Sequence, residues 1–171
     1  LAFINNHAFL DNPTFRGMRW SLLRTFDELF IIDLHGNAKR REVSPDGSPD
    51  QNIFDISQGV SINIFVKYKQ SKKKAGLAKV YRFDLYGPRE HKYRFLEEHT
   101  LDQVPFSEVT LYPPYYSFTE HNQGLSRQYE HDSFSIRDLF PASSPGLVTA
   151  RDHFSIHFTK ESLINATQEF L

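Results

Sequence analysis

"ELFIIDLHGNAKRRE", residues 28–42, decides how the first half of this chain is read. A short apolar run ends at Asp33. His35, Asn37 and the basic Lys39, Arg40 and Arg41 follow within a few positions. Such a run is too short for a buried helix and reads as a sheet strand leaving into a polar loop. Upstream, "FRGMRWSLLRTF" sets Phe15, Met18, Leu22, Leu23 and Phe26 at helical spacing, with Arg16, Arg19 and Arg24 largely off that stripe. "LDNPTF" before it carries an Asn-Pro turn signal and Thr14 as a candidate N-cap. Further back, "LAFI" is a second short apolar strand, closed by Asn5, Asn6 and His7. Strand, helix, strand is a βαβ unit, which predicts neighbouring parallel strands in an α/β sheet.

Downstream, "HGNAKRREVSPDGSPDQN" has no periodicity and predicts a long loop, a kind that in compact domains is usually functional or mobile. "GVSINIFVKYK" alternates, with Val60, Ile62, Ile64 and Val66 on one side. "LAKVYRFDLYG" is strand-like too. The basic "QSKKKAG" between them suggests an antiparallel hairpin, and hence a mixed sheet. From about Glu97 the texture becomes aromatic and proline-rich, which places a soft boundary there: residues 1–97, then 98–171. In the second part "SFSIRDLF" suits a short helix or strand, "HFSIHF" a strand, and Thr159 starts a helix. No internal repeat is visible.

The composition narrows the field. The 171 residues are 39% hydrophobic with 16 Phe, enough for a core. The net charge of −1 announces neither a nucleic acid nor a membrane. The absence of cysteine removes disulfides and thiolate metal sites and fits a cytoplasmic protein. No apolar run approaches the roughly 20 residues that span a bilayer, and no signal peptide is visible. The chain opens on Leu1 in mid-strand, which reads as a fragment of a longer polypeptide.

Local motifs exclude more than they assign. GxSxG, GxGxxG and the P-loop pattern are all missing. His153 and His157 are four apart with no glutamate between them, so they make no zinc-protease motif and no metal site is expected. "YPPYYSF" has Tyr112, not an amide side chain, before its prolines, and reads as a structural turn. Lys72, Lys73 and Lys74, with Lys39, Arg40 and Arg41, are candidate phosphate contacts.

Taken in order, "FINNHAFLDNPTFRGMRWSLLRTFDELFIIDLHGNAKR", "PDGSPDQNIFDISQGVSINIFVK" and "LAKVYRFDLYG" resemble adenine-N6 DNA methyltransferases. The likeness is to the methylase region of large single-chain restriction–modification enzymes of the type ISP and type IIG kind. "SIRDLF" and "SPGLVTARDHFSI" resemble the segment that leads into target recognition in those enzymes.

The resemblance implies the C-terminal part of a Rossmann-like methyltransferase sheet, a βαβ unit plus an antiparallel hairpin, followed by an irregular α+β segment. It implies S-adenosylmethionine as cofactor and double-stranded DNA and the remainder of the parent polypeptide as partners. The glycine-rich cofactor motif and the Asn-Pro-Pro-Tyr motif are both missing, so the parent would be the enzyme and this piece inactive alone. The alternative is a non-catalytic DNA-binding or scaffold module that keeps the fold. By the same resemblance Phe54 stacks on the extruded adenine, and Asn5, Asn6 and His7 face the active-site side. Arg151 and Asp152 read as a structural ion pair, with a DNA contact as the alternative. A sheet missing its earlier strands has an open edge, so self-association is expected at high concentration. A clean monomer by light scattering across a wide concentration range would contradict that.

Overall fold

β1 (Ala2–Asn6), α1 (Arg16–Thr25) and β2 (Glu28–Asp33) form where the pattern puts them. The computed structural model describes residues 1–69, 76–120, 122–142 and 152–170. β3 (Val60–Val66) and β4 (Lys79–Asp84) follow, then α2 (Arg89–Glu98) and the two-residue β5 (Ser107–Glu108). The five strands make one mixed sheet in the order β1-β3-β2-β4-β5. The fold is α/β, as the sequence predicts.

The pairing inside that sheet differs from expectation. β1 and β2 are not neighbours: β3 lies between them, antiparallel to both, with Ile62 opposite Ile4 on one side and Ile32 on the other. The expected hairpin of β3 with β4 is likewise not formed. β3 makes its hairpin with β2, and β4 lies parallel to β2 with Asp84 opposite Asp33. The reason lies in β3 itself. Its second face, Ser61, Asn63 and Phe65, is more buried than the apolar face that the alternation marks. A strand buried on both faces belongs in the middle of a sheet. Asn63 and Ser61 tolerate this place because they bond to each other and Asn63 Nδ2 also donates to Asn5 Oδ1 (2.8 Å).

Two cores sandwich the sheet. On one face Leu22 and Leu23 of α1, with Phe26 just after it, pack with Leu29, Ile31, Phe65, Val80 and Phe118. On the other, Phe95 and Leu96 of α2 pack with Ile32, Leu34, Ile53, Val60 and Leu85. Met18 and Phe15 on the expected stripe are exposed, while Arg19, read as off it, is fully buried. Its guanidinium donates to the carbonyls of Phe9 (2.7 Å), Asn12 (2.9 Å), Tyr115 (2.7 Å) and Tyr116 (3.1 Å). "YPPYYSF" is thus a structural turn whose carbonyls anchor α1. Thr14 does not cap; Asn12 Oδ1 accepts the Thr14 N–H and starts the short turn leading into α1.

The first compact unit runs from Leu1 to Asn122, beyond the boundary near residue 97, because β5 and Phe118 belong to its sheet and core. The second unit, from Gln123, has four helices among its described residues: α3 (Gln123–Asp132), α4 (Ile136–Leu139), α5 (Asp152–Ser155) and α6 (Lys160–Phe170). The expected strand in "HFSIHF" is not formed: Ile156 N–H reaches back to the Asp152 carbonyl. A six-residue alternation without a partner strand cannot hold an extended form. Thr159 does begin α6, its hydroxyl accepting the Ser162 N–H. Among the described residues no helix is long and apolar enough to cross a membrane.

Candidate functional site

β1, β2 and β4 run in the same direction, so their carboxyl ends share one rim. Open α/β sheets place ligands at that rim. Each strand leaves it through a polar turn: His7 after β1, Leu34-His35-Gly36 after β2, Leu85-Tyr86-Gly87 after β4.

An ionic cluster fills the rim's centre. Asp33 accepts from His7 Nδ1 (2.9 Å), from the His35 N–H (3.1 Å) and from Arg82 Nη2 (2.9 Å). The His35 ring lies between Glu42 (2.7 Å from Nδ1) and Asp84 (2.7 Å from Nε2) and stacks on Tyr86 at 3.8 Å. Burial pushes this imidazole down, but the hydrogen bonds to Asp84 and Glu42 and the charge of Asp33 outweigh it and raise it to about 9. Burial pushes the Glu42 and Asp84 carboxyls up; their bonds to His35, with Asn37 N–H for Glu42 and Arg82 for Asp84, win and hold each at about 2. His7, Asp33 and His35 bring metal-type ligand atoms within 4.8 Å of one another. An imidazolium with both nitrogens on carboxylates has no lone pair for a cation, so this is an ion-pair network.

A second cluster ties the loops together. Lys92 Nζ and Asp50 are both fully buried and paired at 2.7 Å. Lys92 also donates to the carbonyls of Leu34 and Gln51, each at 2.7 Å. Asp50 Oδ2 accepts the Gly36 N–H (2.6 Å) and Oδ1 the Gly87 N–H (2.7 Å). Both glycines have positive φ, 78° and 114°. A Cβ on Gly36 would stand 2.4 Å from the Asn52 Cα, so only glycine fits there.

Beside this pair opens a cavity of about 890 Å³ lined by Gly36, Ala38, Asn52, Phe54, Ile56 and Arg89. Phe54 is 40% exposed in it. Ile53, the residue before, is buried in the core, and the Phe54 N–H donates to Asn52 Oδ1 (2.9 Å). The exposed Lys39, Arg40 and Arg41 follow Ala38 on the same rim.

Other residues singled out in the sequence fall elsewhere. Asn5 is tied to Asn63, and Asn6 caps the turn after β1 by accepting the Ala8 N–H. Of that trio His7 alone joins the ionic cluster. Lys72, Lys73, Lys74 and Arg151 lie outside the described residues.

Asp84, Glu42, Asp50, Lys92 and Arg89 went unnoticed in the sequence, and Arg82, which there reads as part of the basic patch after the turn, is instead buried against Asp33 and Asp84. One signal was available: "DLHG" at 33–36 returns as "DLYG" at 84–87. This short internal repeat corrects the reading that none is visible. It builds two like turns side by side, both ending on Asp50.

In overall fold the chain resembles three solved structures. The DrdV–DNA complex matches with a TM-score of 0.62 and 19% identity over 99% of this chain and 18% of that one. The ATP-dependent type ISP restriction–modification enzyme LlaBIII bound to DNA gives 0.61 and 24% over 98% and 11%. A nuclease-deletion mutant of the type ISP restriction–modification enzyme LlaGI, in complex with a DNA substrate mimic, gives 0.60 and 19% over 98% and 16%. This chain thus spans less than a fifth of each. No protein-family model and no curated protein matches it.

Proposed function

We propose that this chain is the back part of the methylase region of a single-chain restriction–modification enzyme that methylates adenine N6 in double-stranded DNA. The observation that carries the proposal is a half-exposed aromatic, Phe54, standing in an open cavity at the carboxyl rim of the sheet. An adenine rotated out of the duplex needs such a face to stack on once it has left its neighbours. Lys39, Arg40 and Arg41 stand on the same rim, where the phosphates beside an extruded base would pass. The DNA-bound proteins of like fold support this reading.

S-adenosylmethionine is the methyl donor the proposal implies. The described residues offer at most part of a site for it. A ribose-binding site needs a carboxylate free to accept from hydroxyls. Asp33, Asp50 and Asp84 at this rim are each held by internal cations and N–H groups, and Asp55 by Arg89, which leaves Glu90 on the cavity wall as the candidate. No glycine-rich cofactor loop is present in the sequence. In this proposal the donor and the amine-binding motif belong to another part of the parent polypeptide. This chain supplies the stacking wall and the phosphate contacts, and β1 offers the open edge on which the preceding strands dock.

Base–aromatic stacking contributes roughly 1–3 kcal/mol. Phe54→Ala in the full-length polypeptide should therefore lower methyl transfer to DNA about 5- to 150-fold. It should also abolish the fluorescence change of 2-aminopurine placed at the target adenine. Methylation and base extrusion at the unsubstituted level would leave the scaffold reading instead.

A further inference from the structure

One face of α2 is matched, bond for bond, to the backbone that carries Phe54. Residues 51–54 belong to no helix or strand, yet each of their four carbonyls accepts from a side chain of that helix. Lys92 Nζ donates to Gln51 O (2.7 Å), Arg89 Nε to Asn52 O (2.9 Å), Tyr93 Oη to Ile53 O (2.8 Å) and Arg89 Nη2 to Phe54 O (3.2 Å). Arg89, Lys92 and Tyr93 sit at i, i+3 and i+4, the spacing that puts side chains on one helical face. Arg89 Nη2 also pairs with Asp55 (2.8 Å), and its backbone N–H meets Gln51 Oε1 (3.0 Å). From the other side Asn52 donates to the carbonyls of Gly36 (3.1 Å) and Gln58 (2.6 Å).

We propose that Arg89 and Tyr93 are positioning residues that fix Phe54 at the cavity mouth. Lys92 is buried and holds the fold. Arg89 and Tyr93 are partly exposed, reach only the Phe54 segment, and Arg89 lines the same cavity. A loop outside regular structure has no ladder to set its register; here four side-chain donors set it. Phe54 then meets an incoming base already placed, with little ordering left to do on binding. The proposal rests on the stacking role given to Phe54 above.

The test uses the full chain and its Arg89→Met/Tyr93→Phe double variant, with two readouts. Amide hydrogen exchange at Phe54 should quicken at least tenfold while amides within β2 and β4 keep their rates. Quenching of a single-stranded oligonucleotide carrying 2-aminopurine should need at least fivefold more protein. Unchanged exchange at Phe54, or equal acceleration throughout β2 and β4, would overturn the positioning role. Phe54→Ala separates the two ideas. Undiminished quenching by Phe54→Ala, or none by the parent chain, refutes stacking and leaves the exchange result to decide positioning. Lost quenching in Phe54→Ala with full quenching in the double variant refutes positioning alone.

Discussion

Replacing Lys92 with methionine should cost about 3–5 kcal/mol of folding free energy, the usual cost of removing one partner from a buried ion pair. The ammonium is fully buried, with Asp50 Oδ1 and the carbonyls of Leu34 and Gln51 each at 2.7 Å. Methionine fills much the same volume but leaves the Asp50 carboxylate buried without its counter-charge. Adding Asp50→Leu to remove that charge should not restore stability. Asp50 also accepts the N–H groups of Gly36 and Gly87, and a buried N–H left unpaired costs about 1–3 kcal/mol each. Urea unfolding of the single and double variants checks both points. A loss under about 1 kcal/mol for Lys92→Met, or recovery in the double variant, would show that the two turns do not depend on this pair.

What the sequence revealed divides along physical lines. α1 and β2 were legible because local periodicity made them. Leu22, Leu23 and Phe26 pack as their spacing requires, and Leu29 and Ile31 point opposite to Ile32. Strand order was not legible, because no local pattern says that β3 enters between β1 and β2. Only the burial of Ser61 and Asn63 betrays it, and polar residues in a strand normally signal a solvent face. Arg19 was misread for the same reason: a charge is placed outside by default, and its carbonyl partners at Phe9 and Tyr115 lie far apart in sequence. Phe54 came from a family likeness, and no local pattern marks it; the structure leaves its ring 40% exposed at the rim. The ionic partners of the rim meet only after folding, although the twin "DL-H/Y-G" turns mark where they would meet.

These turns make the rim a coupled unit. His35 stacks on Tyr86, its counterpart in the other turn, while Gly36 and Gly87 close on Asp50. The Phe54 segment, the basic run at 39–41 and both strand ends therefore hang on two adjoining ionic clusters, one around His35 and one around Lys92.

The stability of the chain should accordingly fall as pH rises from 6.5 to about 9. The His35 ring is faced by Glu42 from the following loop, Asp33 from β2, Asp84 and Arg82 from β4, His7 beyond β1, and Tyr86 on its flat side. Its acceptors hold the proton to about 9 in the folded chain, against 6.5 when unfolded. Below 6.5 both states carry the proton and the contribution is complete. Between the two values only the folded state carries it, so each rise in pH favours unfolding. The gap of about 2.5 pH units, at about 1.4 kcal/mol per unit, corresponds to a loss of roughly 3 kcal/mol. Acid acts from the other side. Glu42 and Asp84 are held at about 2, against their usual 4.5 and 3.8, so the same ion pairs weaken as pH falls from about 4.5 toward 2. Stability should level off between these limbs. His35→Gln removes the proton and should flatten the alkaline limb while lowering the plateau. Because Glu42 also holds the Asn37 N–H (2.9 Å), the alkaline limb should loosen the loop bearing Lys39, Arg40 and Arg41. Trypsin should then cut there faster at pH 9 than its own pH dependence explains. Equal unfolding free energies at pH 6 and pH 9, or an unaltered alkaline limb in His35→Gln, would refute the assignment.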